Sequence, residues 1–350
     1  MLAMPELNSQ TMPASGEEGD RTDVKAIMRV IRDADRRVRE RFPVLRHQSA
    51  IGMAFVALGY GTAAISTWLF IKGINPAWLC IVINALSYAV LREIEHDLIH
   101  NLYFKNKRAL QNFVLFVIWP SLGNVPNPLF RRKVHLQHHA SSGHDDDLEE
   151  RLIGNGTGFG PLRWFAMIES GLSLPFRRRE LESIPGFNYG ELMRALVPVN
   201  VVFYFFWLSF LGYHGAIAVA SLAGLTPTLP AWLVSFVAVM NVVVVSWVLP
   251  NVIRQACLHV LSSSMHYHGD VENTVQQTQV LSKWYWLPLQ VFSCNFGSSH
   301  AIHHFLASQP FYLRELVRTD AHAAMRRHGV RFDDLGTFSR ANRWGAAVTA

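Results

Sequence analysis

Hydrophobic residues along this 350-residue chain gather into long runs, separated by polar stretches rich in arginine. Four runs predict bilayer-crossing helices. Ile51–Ile71 and Ala77–Leu91 are joined by the short turn KGINP, and Ala195–Leu211 and Ala231–Leu249 by a linker poor in polar residues and rich in Gly and Pro. A crossing takes about 20 apolar residues, so the helix of Ala77–Leu91 is expected to continue through Arg92. A fifth stretch, Phe113–Trp119, is followed by Pro120, Gly123, Pro126 and Pro128 and reads as a re-entrant or interfacial piece. Residues 1–22 are polar, with neither a basic n-region nor an apolar h-region, and are expected to be a disordered leader without a cleavable signal peptide. In Asp23–Phe42 the residues Val24, Ile27, Met28, Ile31, Val38 and Phe42 follow a helical stripe with arginines opposite. Residues 23–47 are therefore expected to form an amphipathic helix on the membrane surface, the alternative being a solvated helix packed on the cytosolic part. Residues 48–318 then make the membrane domain and 319–350 a cytosolic tail.

Composition supports this layout. Half of the chain is hydrophobic and 17% is charged, where soluble proteins carry about a quarter. Cys80, Cys257 and Cys294 stand far apart without a CxxC pair, which argues against a disulfide scaffold, a zinc ribbon and a fused iron–sulfur domain. The net charge of +6 reads as basic loops beside anionic membrane lipids, with no nucleic acid involved. Of the 32 basic residues, nine precede the first span, thirteen lie in Arg92–Arg194, nine follow Leu249, and only Lys72 is left for the opposite side. The positive-inside rule then places both termini and the middle loop in the cytoplasm. The excess of Arg over Lys (26 to 6) suggests a bacterial inner membrane, with the endoplasmic reticulum as the alternative.

The chemistry is carried by histidine. His96 and His100 lie in EHDLIH, His135, His138 and His139 in HLQHH, and His300, His303 and His304 in HAIHH. Spacings of three and four put the members of each cluster on one helix face. Two helical hairpins before the clusters place all three on the same, cytoplasmic side. Neutral imidazole is a good ligand for transition metals, and eight are too many for one ion, so two ions held between helix ends are expected. A ninth ligand is sought in and just before SSSMHYHGD, where His259, His266 and His268 compete and His266 is preferred. Glu93, Glu95 and Asp97 are candidates to accept the second ring N–H of a ligand. His144, beside Asp145, Asp146 and Asp147, either orients a ligand or sits in a solvated acidic loop, and the loop is preferred. The HExxH of zinc proteases is absent, a structural zinc needs only four ligands, and the Glu-x-x-His pairs of soluble di-iron bundles are missing.

These clusters, read with the spans, resemble the membrane-bound fatty acid desaturase and hydroxylase superfamily: EHDLIH matches its first histidine box, HLQHH the second, HAIHH the third, and MHYHG its additional His followed by Gly. The likeness runs from about Ile51 to Tyr312. It implies an all-α integral membrane protein with about four transmembrane helices in two hairpins and a cytosolic helical cap carrying a histidine-rich di-iron site. It further implies that His96, His100, His135, His138, His139, His266, His300, His303 and His304 hold two non-haem irons. In that family O2 and two electrons serve to remove two hydrogens from an acyl chain. The acidic run Asp145–Glu150 also follows the family pattern, without an evident role. Two departures bear on the reaction. The third box begins with His300, not with the Gln of desaturases that work near the carboxyl end. There is also no His-Pro-Gly-Gly haem motif, so electrons are expected from a separate protein, ferredoxin-like or a haem cytochrome with its reductase. Ser262 stands where some relatives have Asn.

The expected substrate is a long-chain acyl lipid. Phe203–Trp207 and Trp284–Trp286 are candidates to line its tunnel, with interface anchoring as the default role, and Arg131–Lys133 or Arg177–Arg179 are candidates to meet a phosphate-bearing head. A rival reading on the same scaffold is a hydroxylase, monooxygenase or ketolase acting on an alkyl, sterol or carotenoid substrate. A metal transporter or sensor would need polar groups in the spans, which hold little beyond Asn84 and Asn241.

Overall fold

The structure, a computed structural model, describes residues 17–345. They are mainly helical. Among them no strand occurs, and the only bridges are two isolated ones, His266 with Thr278 and Val280 with Phe332. Helix α1 (Glu17–Arg41) leads to α2 (Gln48–Ile71), α3 (Ala77–Ile99), α4 (Arg108–Leu122) and α5 (Pro128–Ser141). Short helices follow: α6 (Leu148–Leu152), α7 (Pro161–Ile168), α8 (Ser170–Ser173), α9 (Arg178–Glu182) and α10 (Tyr189–Leu196). Then come α11 (Val199–Leu222), α12 (Ala231–Val243) and α13 (Leu249–Met265), and finally α14 (Thr274–Gln277), α15 (Leu287–Val291), α16 (Phe296–Phe305) and α17 (Phe311–Arg327).

Four helices are long and apolar enough to cross a membrane: α2, α3, α11, and the continuous helix Ala231–Met265 formed by α12, a π turn and α13. On α11 the residues Val201, Val202, Phe205, Leu208, Leu211, Val219 and Leu222 are all exposed, which suits contact with lipid tails and would be unfavourable in water. The α2–α3 hairpin closes through Gly73 at φ +71° and packs tightly because α2 turns Gly52, Gly59, Ala63 and Ser66 inward. A Cβ on Gly59 would stand 3.0 Å from the Leu91 side chain, so a larger residue there would push the pair apart.

The π turn at Val244–Val248 has a cause in the sequence. Pro250 has no N–H to offer the carbonyl of Ser246 four residues earlier. That freed carbonyl accepts from Asn84 Nδ2 at 2.7 Å and from Tyr88 Oη at 3.0 Å, tying α3 to the fourth span. α3 runs on through Arg92 to Ile99, as its short apolar run led us to expect, whereas the third span differs from the sequence reading and lies at Val199–Leu222 because Pro198 separates it from α10. The stretch Phe113–Trp119 sits within α4, which continues through Pro120 to Leu122; at about 1.5 Å per residue its length of roughly 22 Å is short of a crossing.

The cap is built on α1, α13, α16 and α17. Ile27, Ile31 and Ala34, spaced for one helix face, are fully covered by a core that includes Val317, Ala321, Ala324 and Met325 of α17 and Ile302 and Phe305 of α16. Each buried isoleucine contributes about 1.5–3 kcal/mol relative to exposure. The stripe is therefore occupied by protein and not by the bilayer, which matches the alternative of a helix packed on the rest of the chain, while Arg37 reaches Asp320 at 2.8 Å on the outer side. Two domain boundaries also shift. α1 begins at Glu17, inside the expected leader, of which residues 1–16 lie outside the described residues. The boundary at 318/319 falls within α17, and the chain beyond it folds back, burying Val330, Thr337 and Asn342.

Candidate metal centre

Helices α3, α5, α13 and α16 aim histidines at one buried region. α5 starts with Pro128 behind an Asn127 cap, whose side chain accepts from Leu129 N and Phe130 N at 3.1 and 3.0 Å. This fixes the turn carrying His135, His138 and His139. α3 brings His96 and His100 to its C-terminal end, α16 brings His300, His303 and His304, and His266 caps the end of α13 in extended backbone.

The nine rings divide into two groups that could each hold an ion: His96, His100, His135, His139 and His303 in one, His138, His266, His300 and His304 in the other. Within each group the candidate ligand atoms lie within 4.8 Å of one another. Helical spacing explains the division. On α5 the i, i+4 pair His135 and His139 goes to the first group and His138 to the second; on α16 the i, i+4 pair His300 and His304 goes to the second and His303 to the first. α3 serves only the first group and α13 only the second. The two groups adjoin, with the His139 and His304 ring centres 5.0 Å apart.

Nitrogen faces nitrogen across the centre. His100 Nε2 is 2.9 Å from His135 Nε2 and 3.0 Å from His303 Nε2, His303 Nε2 is 2.9 Å from His139 Nε2, and His266 Nε2 is 3.1 Å from His304 Nε2. Neighbouring ligands at a metal–imidazole distance of roughly 2.1 Å sit about 3 Å apart, which these contacts match. His96 buries both ring nitrogens without a partner, a costly arrangement that an ion would relieve. Burial first, and then the mutual repulsion of neighbouring imidazoles, holds His139, His300, His303 and His304 well below the ordinary histidine range. That direction favours the neutral ring, the form that donates a lone pair. His138 differs: burial works against its charge, but Asp147, then Glu149 and Glu150, outweigh it and raise the ring to about 10. That direction favours the protonated ring at His138, and a proton held there would leave on metal binding. The donor set fits two transition-metal ions.

The acidic run after the second box has a clear structural role. Glu149 Oε2 lies 2.6 Å from His135 Nδ1, and Asp147 Oδ2 lies 2.9 Å from His138 Nδ1 while Asp147 also caps α6. Glu150 takes the Ser262 hydroxyl at 3.0 Å and stands 3.3 Å from His266 Nδ1, which itself reaches the Ser262 carbonyl at 2.9 Å. Gln277 lies 3.3 Å from His304 Nδ1. Such contacts fix ring orientation and tautomer.

Residues 72–336 match the profile of the family described as Fatty acid desaturase. The chain belongs to the fatty acid desaturase family. It is thereby an oxidoreductase of the desaturase and hydroxylase type, from a family known for di-iron sites. A comparison with curated proteins gave no match.

Among the three candidates for a ninth position in this desaturase-family chain, only His266 joins a group. His259 stands on the wall of a neighbouring cavity, and His268 lies 3.7 Å from Asp145, outside both groups. His144 is exposed, in its loop. The carboxylates expected beside the first box are differently engaged: Glu95 pairs with Arg92 and Arg131, Glu93 with Arg314, and Asp97 with Tyr103 and Arg314, its oxygen 3.6 Å from His96 Nδ1. Arginines on α5 and α17 outcompete the rings for them. Arg131 also holds Glu149, and Lys133 and Arg177 are paired with Glu191 and Glu180, so these charges are already matched within the fold.

A cavity of about 1060 Å³, counting its open mouth, adjoins the centre. His96, His135, His138, His266 and His300 form one wall, while Phe130, Leu174, Leu192, Leu196 and Leu258 give it apolar sides. The aromatic runs do not line it: Phe203 is buried over Gly123 and Trp284 is 83% exposed.

Proposed function

We propose that the chain is an O2-dependent fatty acyl desaturase. Its eight box histidines and His266 would hold two irons, five rings at one ion and four at the other, and electrons would come from a separate ferredoxin-like or cytochrome donor. The observation that supports this most directly is the meeting of nine imidazoles, six of them on fully buried residues, beside an apolar cavity. A C–H bond of an unactivated methylene is beyond any side-chain base; bound iron with O2 supplies an oxidant strong enough for it. The overall balance takes two hydrogens from adjacent methylenes and, with two electrons and two protons, returns O2 as two waters.

The chain's own groups hold the geometry. Glu149, Asp147, Gln277 and the Ser262 carbonyl set the rings, so that their Nε2 atoms face inward. The leucine-lined sides of the cavity receive the alkyl chain and keep water from it. The gathering of Lys and Arg on one side of the spans supports a cytoplasmic site with both termini on that side, and the excess of Arg over Lys supports a bacterial inner membrane.

Expression in a host with simple lipids, followed by mass spectrometry of fatty acid methyl esters, tests the reaction. A new alkene supports desaturation, whereas retention of an atom from labelled O2 moves the assignment to a hydroxylase, monooxygenase or ketolase on the same site. His303→Ala should abolish product and lower bound iron while the protein still inserts; full activity in that variant would refute the ligand assignment.

A further inference from the structure

One face of α13 lines the cavity from end to end: Arg254 and Gln255, then Leu258 and His259, then Ser262, and finally His266 at the metal centre. At about 1.5 Å per residue, Arg254 lies roughly 18 Å along the axis from His266. Its side chain is 1% exposed. Nε donates to Asn251 Oδ1 at 3.2 Å, and Nη2 donates to Asn124 Oδ1 at 3.2 Å and to Gln255 Oε1 at 3.3 Å. All three acceptors are neutral amides, and the buried Nη1 has no partner.

The carboxylates around the cavity are engaged elsewhere. Glu95 receives Arg92 and Arg131, Glu149 receives Arg131 and His135, and Glu150 receives Asn155 and Ser262. The guanidinium of Arg254 is thus a buried cation without a protein counter-charge, an arrangement disfavoured unless something else supplies the anion. His259, also on the wall, buries an Nδ1 without a partner, and Asn200 and Ser170 add polar groups to the lining.

We propose that Arg254 is the receptor for an oxyanion head of the substrate, a carboxylate or a phosphate, with the apolar remainder running along the leucines toward the histidines. A guanidinium matches either oxyanion with paired N–H donors. Held there, the head makes α13 a ruler: the carbon presented to the metal centre is set by its distance from Arg254. The inference deepens the desaturase reading and rests on it for what happens to the chain once bound.

The test uses the full chain in phosphatidylcholine nanodiscs, with palmitate, palmitoyl lysophosphatidate and hexadecanol as probes of equal tail length, and equilibrium binding as the readout. At least one charged lipid should bind about tenfold or more tighter than hexadecanol, and the tighter of the two identifies the head as carboxylate or phosphate. Arg254→Gln should erase that preference without changing hexadecanol binding, and Arg254→Lys should keep part of it. Equal binding of all three lipids to the native chain, or a preference that survives in Arg254→Gln, overturns the proposal. The native comparison decides even if the glutamine variant does not fold. Since binding is scored without turnover, absence of product with the head preference intact would count against the oxidation alone.

Discussion

In the four-membered histidine group, His138, His266 and His304 each have the outer ring nitrogen against an acceptor: Asp147, the Ser262 carbonyl and Gln277. In the five-membered group, His135 has Glu149, whereas His96 and His303 leave theirs without a partner. One group has fewer rings with most of them oriented; the other has an extra ring and less support around it. Orientation and ligand number are two routes to the same affinity, because a pre-aimed ring loses less freedom on binding and an additional ring contributes a further bond. The difference also follows topology. The supporting carboxylates come from the single segment Asp147–Glu150, which runs beside α5 and reaches His266 but no ring of α3 or α16, where His304 has Gln277 instead.

The contrast can be broken most severely at the ligands. His304→Ala leaves three rings at the smaller group and should reduce bound iron from two to about one per chain, with activity lost. His100→Ala leaves four rings at the larger group and should keep more of its iron under the same dialysis. Metal analysis by mass spectrometry checks both, and equal losses would remove the distinction. One step smaller, Asp147→Ala should lower metal affinity or activity about 10–100-fold. It also removes the α6 cap, worth about 1 kcal/mol in a thermal melt. Glu149→Gln keeps an acceptor near His135 and acts where four other rings remain, so its loss should fall at or below the low end of that range. An Asp147→Ala chain that bound two irons as tightly as the native one would show that the support is dispensable. The smallest effect is expected from Ser262→Ala, since the carbonyl that meets His266 Nδ1 remains and only the hydroxyl link to Glu150 is lost; a change of a few-fold in activity at unchanged iron content is the anticipated result.

The sequence made the spans, the hairpins and the nine rings readable because each depends on local spacing. Helical periodicity put His135 and His139 on one line, and charge bias marked which loops share a side. The division into five and four was hidden, since it requires knowing that α5 and α16 face each other. The misplaced partners have the same origin. Glu95 and Asp97 adjoin His96 in sequence, yet Arg131 and Arg314, remote along the chain, claim them. Asp147 and Glu149 lie close enough after the second box that its register could have nominated them. Nothing local foretold that Asn342, read as part of a tail, would donate to the His266 carbonyl at 3.0 Å. The stripe on α1 was legible, but an apolar face does not say whether lipid or α17 will cover it.

The joint at the Ser246 carbonyl has a consequence for the spacing of the two histidine groups. α3 feeds only one group and the helix beyond Pro250 only the other, and Asn84 and Tyr88 pin the two together well before either reaches its histidines. With that point held by hydrogen bonds, the spacing of the two arms within the spans is set by protein contacts and not by the packing of lipid around them.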